Sequence, residues 1–132
     1  MNLPLHLGWL GVLEATLIAF AVGVLCLLAW RWIALRAGWP QSRAIGWACV
    51  CAVAIAAGID SWNLFYLGVV RLESPLYARI ALAKMHDADS LGTRVFMEWC
   101  GALAGVVAGW VLARFGDGYL ALRSQQPVRW TP

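Results

Sequence analysis

Charged residues are scarce in this chain. They make up 13% of its 132 residues, about half of the share that soluble domains carry. The formal net charge is +3, and the basic residues are spread along the chain rather than bunched. A nucleic-acid-binding surface needs Lys and Arg concentrated on one face, so this class of protein is excluded.

Motifs of catalytic proteins are also absent. The sequence has no HExxH, no Gly-rich phosphate loop and no nucleophile elbow. The two histidines, His6 and His86, fall outside the long apolar runs, so the chain's membrane helices cannot supply both axial ligands of a b-type haem. We therefore expect a protein that is not an enzyme and that carries no cofactor.

Residues of the types that can ligate a metal are present, but they lack the spacing of a metal site. The four cysteines form no CxxC and have no histidine nearby, which favours a role in helix packing. Ligand types do gather at Met85, His86, Asp87 and Asp89. Near-consecutive residues of a helix point in different directions, so we expect no metal site there either.

Long apolar runs are abundant instead, and 62% of all residues are hydrophobic. Three runs, at about 9–30, 44–70 and 95–113, reach the roughly 20 residues that a helix needs to cross a bilayer. None alternates strictly, which argues against strands. The sequence predicts an all-α integral membrane protein, with one membrane domain over 1–132 and three transmembrane helices.

The distribution of arginine predicts how these helices are oriented. The loop after the first run contains Arg31, Arg36 and Arg43 with no acidic residue, and the 114–132 tail is also mainly basic. The segment before the first run has no Lys or Arg. Basic loops stay in the cytoplasm, so we expect the N-terminus outside and the C-terminus inside, in a bacterial inner membrane.

The outer 71–94 connection has a helical signal of its own. Ser74 and Pro75 are typical of a helix start, and Leu76, Ile80 and Ala83 recur at helical spacing. The sequence predicts a short amphipathic helix at about 75–86 that lies on the outer leaflet or on a partner.

Each predicted span contains one carboxylate, and together with one amide they form the candidate polar cluster: Glu14, Asp60, Asn63 and Glu98. Charges inside a bilayer are costly, so such a cluster indicates either function or internal pairing. One interpretation is a site for a cation, protons or a substrate amine. The other is a hydrogen-bond network with Arg71, Arg94 or a partner's basic residue; Arg94 and Glu98 are spaced for pairing on one helix.

Small residues recur every four positions on all three spans. Gly101, Gly105 and Gly109 form the longest row, with shorter rows of alanine and glycine at 15–23 and 48–56. Small residues let helices approach closely. These rows hold the three helices together or, because every span has one, join them to a larger assembly.

The sequence is too short for autonomous chemistry, which leaves three functional hypotheses. The first is a small non-catalytic membrane subunit that assembles with a larger inner-membrane partner and stabilises, positions or regulates it. Glu14 supports it, because this carboxylate shares a side with apolar residues and a partner protein is the easiest cover. The second is a homo-oligomeric cation or proton transporter or channel that uses the intramembrane carboxylates. The third is a membrane immunity or exclusion protein.

Overall fold

The computed structural model describes residues 8–69 and 91–124, and this part of the chain is helical apart from Gly8 and the turn at 38–40. It contains α1 (Trp9–Ala37), α2 (Gln41–Val69) and α3 (Leu91–Ser124). All three are long and apolar enough to cross a membrane, with mean hydropathies of 2.4, 1.8 and 1.7 over their most apolar stretches. The all-helical class and the three candidate spans are thereby confirmed.

The helices extend beyond the apolar runs that predicted them. α1 continues through Arg31 and Arg36 to Ala37, and α3 continues past Arg114 to Ser124. An apolar run marks the hydrocarbon layer, whereas backbone hydrogen bonds carry a helix on into the headgroup region. Much of the predicted 114–132 tail is therefore the last part of α3. The helix predicted at about 75–86 lies outside the described residues.

A tight turn at residues 38–40 reverses the chain between α1 and α2. Gly38 adopts the left-handed conformation with φ 66°, and Trp39 N–H donates to the Ala34 carbonyl at 3.0 Å. Pro40 ends the turn, and its carbonyl accepts from the N–H of Arg43 at 3.1 Å. Glycine takes this conformation without steric cost, and proline cannot continue a helix, so the turn fixes an antiparallel hairpin.

The core of the bundle is built mainly from small side chains. Its centre comprises Ala19, Leu27, Ala48, Ala52, Ala56, Ala102 and Val106. α1 and α3 run parallel and share the most extensive contact, while α2 runs antiparallel to both. Small residues at the contacts let the three backbones approach closely enough to gain van der Waals energy that lipid cannot replace.

The outer surface of the bundle is apolar. Only 28% to 39% of the residues in the most apolar stretch of each helix are buried, and exposed side chains include Leu17, Ile59 and Leu112. A water-soluble protein of this size does not display such a continuous apolar surface. The exposed apolar surface and the three long apolar helices together indicate a membrane protein.

Candidate functional site

A buried charge network joins α2 to α3. Arg94 Nε lies 3.5 Å from Asp60 Oδ2 and 3.5 Å from Glu98 Oε1. The side chains of these three residues are only 2–6% exposed. The network therefore links two acidic side chains and one guanidinium inside the protein, out of reach of lipid.

The helical geometry explains how this network forms. Arg94 and Glu98 are four residues apart and lie on one face of α3, as the sequence spacing indicates. Asp60 reaches them from the neighbouring antiparallel helix. Trp99 and Ser61 are the residues that follow Glu98 and Asp60, and Trp99 Nε1–H donates to Ser61 Oγ at 3.0 Å. Two successive polar contacts thus fix the register of α2 against α3.

The burial of the network limits the chemistry that it can perform. A charge in a bilayer is stabilised when it is paired inside the protein. Here the guanidinium lies between two carboxyl groups, and all three side chains are enclosed by the bundle. This arrangement is suited to holding two helices together. It does not present carboxylates to an outward surface, as a pore around an axis shared by several copies requires.

Glu14 lies at a similar depth in the bundle. Thr16 of α1 packs against Gly101 of α3, so Glu14 is at nearly the same level as Glu98 along the parallel helix axes. Its side chain is half-buried and makes a polar or electrostatic contact in the structure. The bundle itself therefore encloses part of the Glu14 side chain, and its cover by a partner protein stays a prediction.

The remaining members of the candidate set divide between described and undescribed residues. Asn63 lies half-buried on α2, one turn beyond Asp60. Arg71 lies outside the described residues. Of the two basic residues expected as ion-pair partners, Arg94 is the one that the structure places between the carboxyl groups.

The glycine row of α3 packs directly on the backbone of α1. A Cβ added to Gly101 would lie 2.5 Å from the Thr16 carbonyl oxygen, and one added to Gly105 would overlap the Phe20 carbonyl oxygen. At Gly109 the nearest atom is the side-chain Leu27 Cδ2, at 3.2 Å. The rows on α1 and α2 also point inward. All three predicted rows are therefore used inside the bundle.

At the opposite end of the bundle, three tryptophan–arginine pairs form a belt that sequence reasoning did not single out. The Arg36 guanidinium lies 4.0 Å from the Trp32 ring centroid, Arg43 5.5 Å from Trp39, and Arg114 5.3 Å from Trp110. Each pair has the spacing W-x-x-x-R, and this repetition was the available signal. We call this part of the molecule the basic end.

The basic end also contains an interhelical ion pair and a cavity. Arg31 Nη2 of α1 lies 2.6 Å from both carboxylate oxygens of Asp117 on α3. Beside this pair is a cavity of about 210 Å³ between the helices, with walls that include Leu27, Ile45 and Trp110. It lies towards the other end of the bundle from the charge network.

Among the described residues, the cysteines and the other potential metal ligands form neither a disulfide nor a metal-binding group. All four cysteines are free thiols. Within residues 8–69 and 91–124, no group of three or more His, Cys, Asp or Glu side chains is placed to hold a metal ion.

The fold and the site together define a class: a small helical protein with three candidate membrane spans and a buried charge network between two of them. Comparison with known protein families, curated proteins and solved structures finds no match for this chain.

Proposed function

We propose that this chain is a small non-catalytic subunit of the bacterial inner membrane, which assembles with a larger membrane partner and stabilises, positions or regulates it. The observation that carries the proposal is the enclosure of Asp60, Arg94 and Glu98 between α2 and α3. Intramembrane charges that neutralise one another inside the bundle serve the fold, and they leave an outer surface suited to apolar contacts.

A second row of small residues supports assembly with other helices. Cys100 and Ala104 of α3 are exposed and Ala108 is half-buried, at intervals of four residues. This row is separate from the glycine row, which packs on α1. An outward row of small residues allows a partner helix to approach the backbone closely.

The proposal is tested by extracting the tagged chain from its host in mild detergent and measuring the mass and composition of the complex. We expect a larger protein at a fixed stoichiometry. Ala104→Leu should release it, because the added side chain holds the partner helix away. Ala21→Leu is the matched control, since Ala21 is exposed on α1 and the same volume is added there. A homo-oligomer with nothing else bound would refute the proposal.

The alternative of a cation or proton pore predicts a different result. In a pore, Asp60→Asn abolishes flux through reconstituted liposomes and leaves assembly intact. In a structural network, the same substitution weakens the contact between α2 and α3, and the wild-type protein conducts nothing. Flux from the purified chain that Asp60→Asn abolishes would favour the pore.

A further inference from the structure

The basic end of the bundle concentrates positive charge at one level of the membrane. Arg31, Arg36, Arg43 and Arg114 lie there against Asp117. Three of these arginines lie over tryptophan rings, which holds the guanidinium groups near the headgroup level. A guanidinium over a ring retains N–H donors at its edges, so it remains able to bind a phosphate oxygen.

One of these arginines stands at the head of an open groove on α2. The groove is shallow and open, and it is lined by Arg43, Gly46, Trp47 and Val50. We call it the α2 groove. Nothing lies within 4 Å of the position where a Cβ of Gly46 would be, so the missing side chain leaves the floor of the groove open. Trp47 forms one wall, and stacking on Trp30 at 5.8 Å holds its ring in place.

We propose that the α2 groove binds one anionic phospholipid, with the phosphate at Arg43 and the first part of an acyl chain over Gly46 and Val50. The groove runs from the start of α2 towards the middle of the helix, in the direction that a chain takes from its headgroup. Its polar group is at the headgroup end and its apolar groups are further in. A phospholipid has the same order of chemistry.

Charge complementarity favours an anionic lipid over a zwitterionic one or a partner helix. The side chain at the groove's headgroup end is the Arg43 cation, which attracts a headgroup of net negative charge. The start of α2 contributes the positive end of a helix dipole at the same level. A partner helix would have to place an acidic residue in the headgroup layer to obtain the same interaction.

The test measures binding of phosphatidylglycerol and of phosphatidylcholine to the purified full-length chain in detergent, by native mass spectrometry. We expect phosphatidylglycerol to bind about tenfold more tightly, because both lipids offer a phosphate but the choline cation of phosphatidylcholine is repelled by the guanidinium. Arg43→Gln should remove that preference. Gly46→Leu should weaken both lipids by filling the groove, and the space around Gly46 allows the variant to fold.

Two controls match these variants. Arg114→Gln removes a charge from the same belt but not from the groove, and Gly58→Leu adds the same side chain at a glycine of α2 that also has open space. Both should bind phosphatidylglycerol like the wild type. The proposal is overturned if Arg114→Gln weakens binding as much as Arg43→Gln does, because the charge then acts diffusely. It is also overturned if Gly46→Leu binds lipid normally, or if that variant instead loses a bound protein.

Discussion

At the scale of single residues, Arg94 is the centre of the charge network. Its guanidinium contacts a carboxyl group on its own helix and another on α2, and all three side chains are almost completely buried. A buried charge that loses its partner costs more than the pair contributes, because nothing replaces the lost interaction. Because Arg94 contacts two carboxyl groups, removing it should cost the folded bundle more than the network contributes when it is intact.

Arg94→Met should destabilise the folded bundle by about 3 kcal/mol, the usual cost of breaking a buried ion pair. The apolar replacement keeps similar volume but leaves Asp60 and Glu98 facing each other without the cation. The free energy of unfolding in detergent micelles measures the effect. Arg36→Gln, an exposed arginine at the basic end, is the control and should change it by less than about 1 kcal/mol. Equal stability of the two variants would contradict a structural role for the network.

Glycines on α3 offer a second test at this scale, because their surroundings differ. Gly105→Ala should destabilise the bundle by about 1–3 kcal/mol, since the new methyl group meets the Phe20 carbonyl oxygen on a rigid backbone. Gly109→Ala should cost less, because the Leu27 side chain can shift. Gly116→Ala meets nothing within 4 Å and should be neutral or slightly stabilising. Thermal unfolding of the three variants should follow this order, and a uniform effect would refute the packing assignment.

At the scale of helices, the contact between α1 and α3 is stabilised at two positions along its length. The glycine row packs on the α1 backbone along the middle of the contact, and the Arg31–Asp117 ion pair joins the same two helices at the basic end. α2 is attached through alanine packing and through the network near Asp60. The contact between α1 and α3 therefore combines glycine packing with an exposed ion pair, whereas α2 is held by alanine packing and by the buried charge network.

Asp117→Asn should change stability by only about 0.5 kcal/mol, because the pair is exposed to water and screened by salt. The side chains of Arg31 and Asp117 are 25% and 57% exposed. Chemical unfolding at low and high salt should show the small difference at low salt and its loss at high salt. Arg114→Gln is the control for a charge removed at the same end. A loss comparable with that of Arg94→Met would mean that the exposed pair, and not packing, holds α1 to α3.

At the scale of the whole molecule, the two ends of the bundle differ in charge. One end carries arginines over tryptophan rings, and the other half contains the carboxylates in the interior. Cytoplasmic ends of membrane helices are rich in Arg and Lys. We propose on this ground that the basic end is cytoplasmic, with the N-terminus outside and the C-terminus inside.

Reporter fusions test this orientation. An enzyme that is active only in the cytoplasm should be active when fused after Pro132 and inactive when fused before Met1. A reporter that is active only outside should give the reverse pattern. A chain with Arg31, Arg36 and Arg43 replaced by Gln should show mixed orientation, because the end of the first helical hairpin has lost the charge that keeps it in the cytoplasm. The opposite pattern in the wild type would refute the proposed orientation.

The sequence alone determined the class of this protein and one contact of its network. Long apolar runs require helices that satisfy their own backbone hydrogen bonds, so the three candidate spans could be read directly from composition. The spacing of Arg94 and Glu98 places them on one helix face, because that relation depends only on helical periodicity. Periodicity likewise showed that each helix has a row of small residues.

Only the tertiary structure decided which of these faces meet. Periodicity gives no information on which helix a face contacts, so the sequence left open whether the small rows join the three helices or attach to a partner. In the structure Gly105 packs on Phe20, and Asp60 reaches Arg94 across two antiparallel helices. These contacts depend on how closely backbones far apart in the sequence can approach, and that distance is fixed by all three helices packing at once.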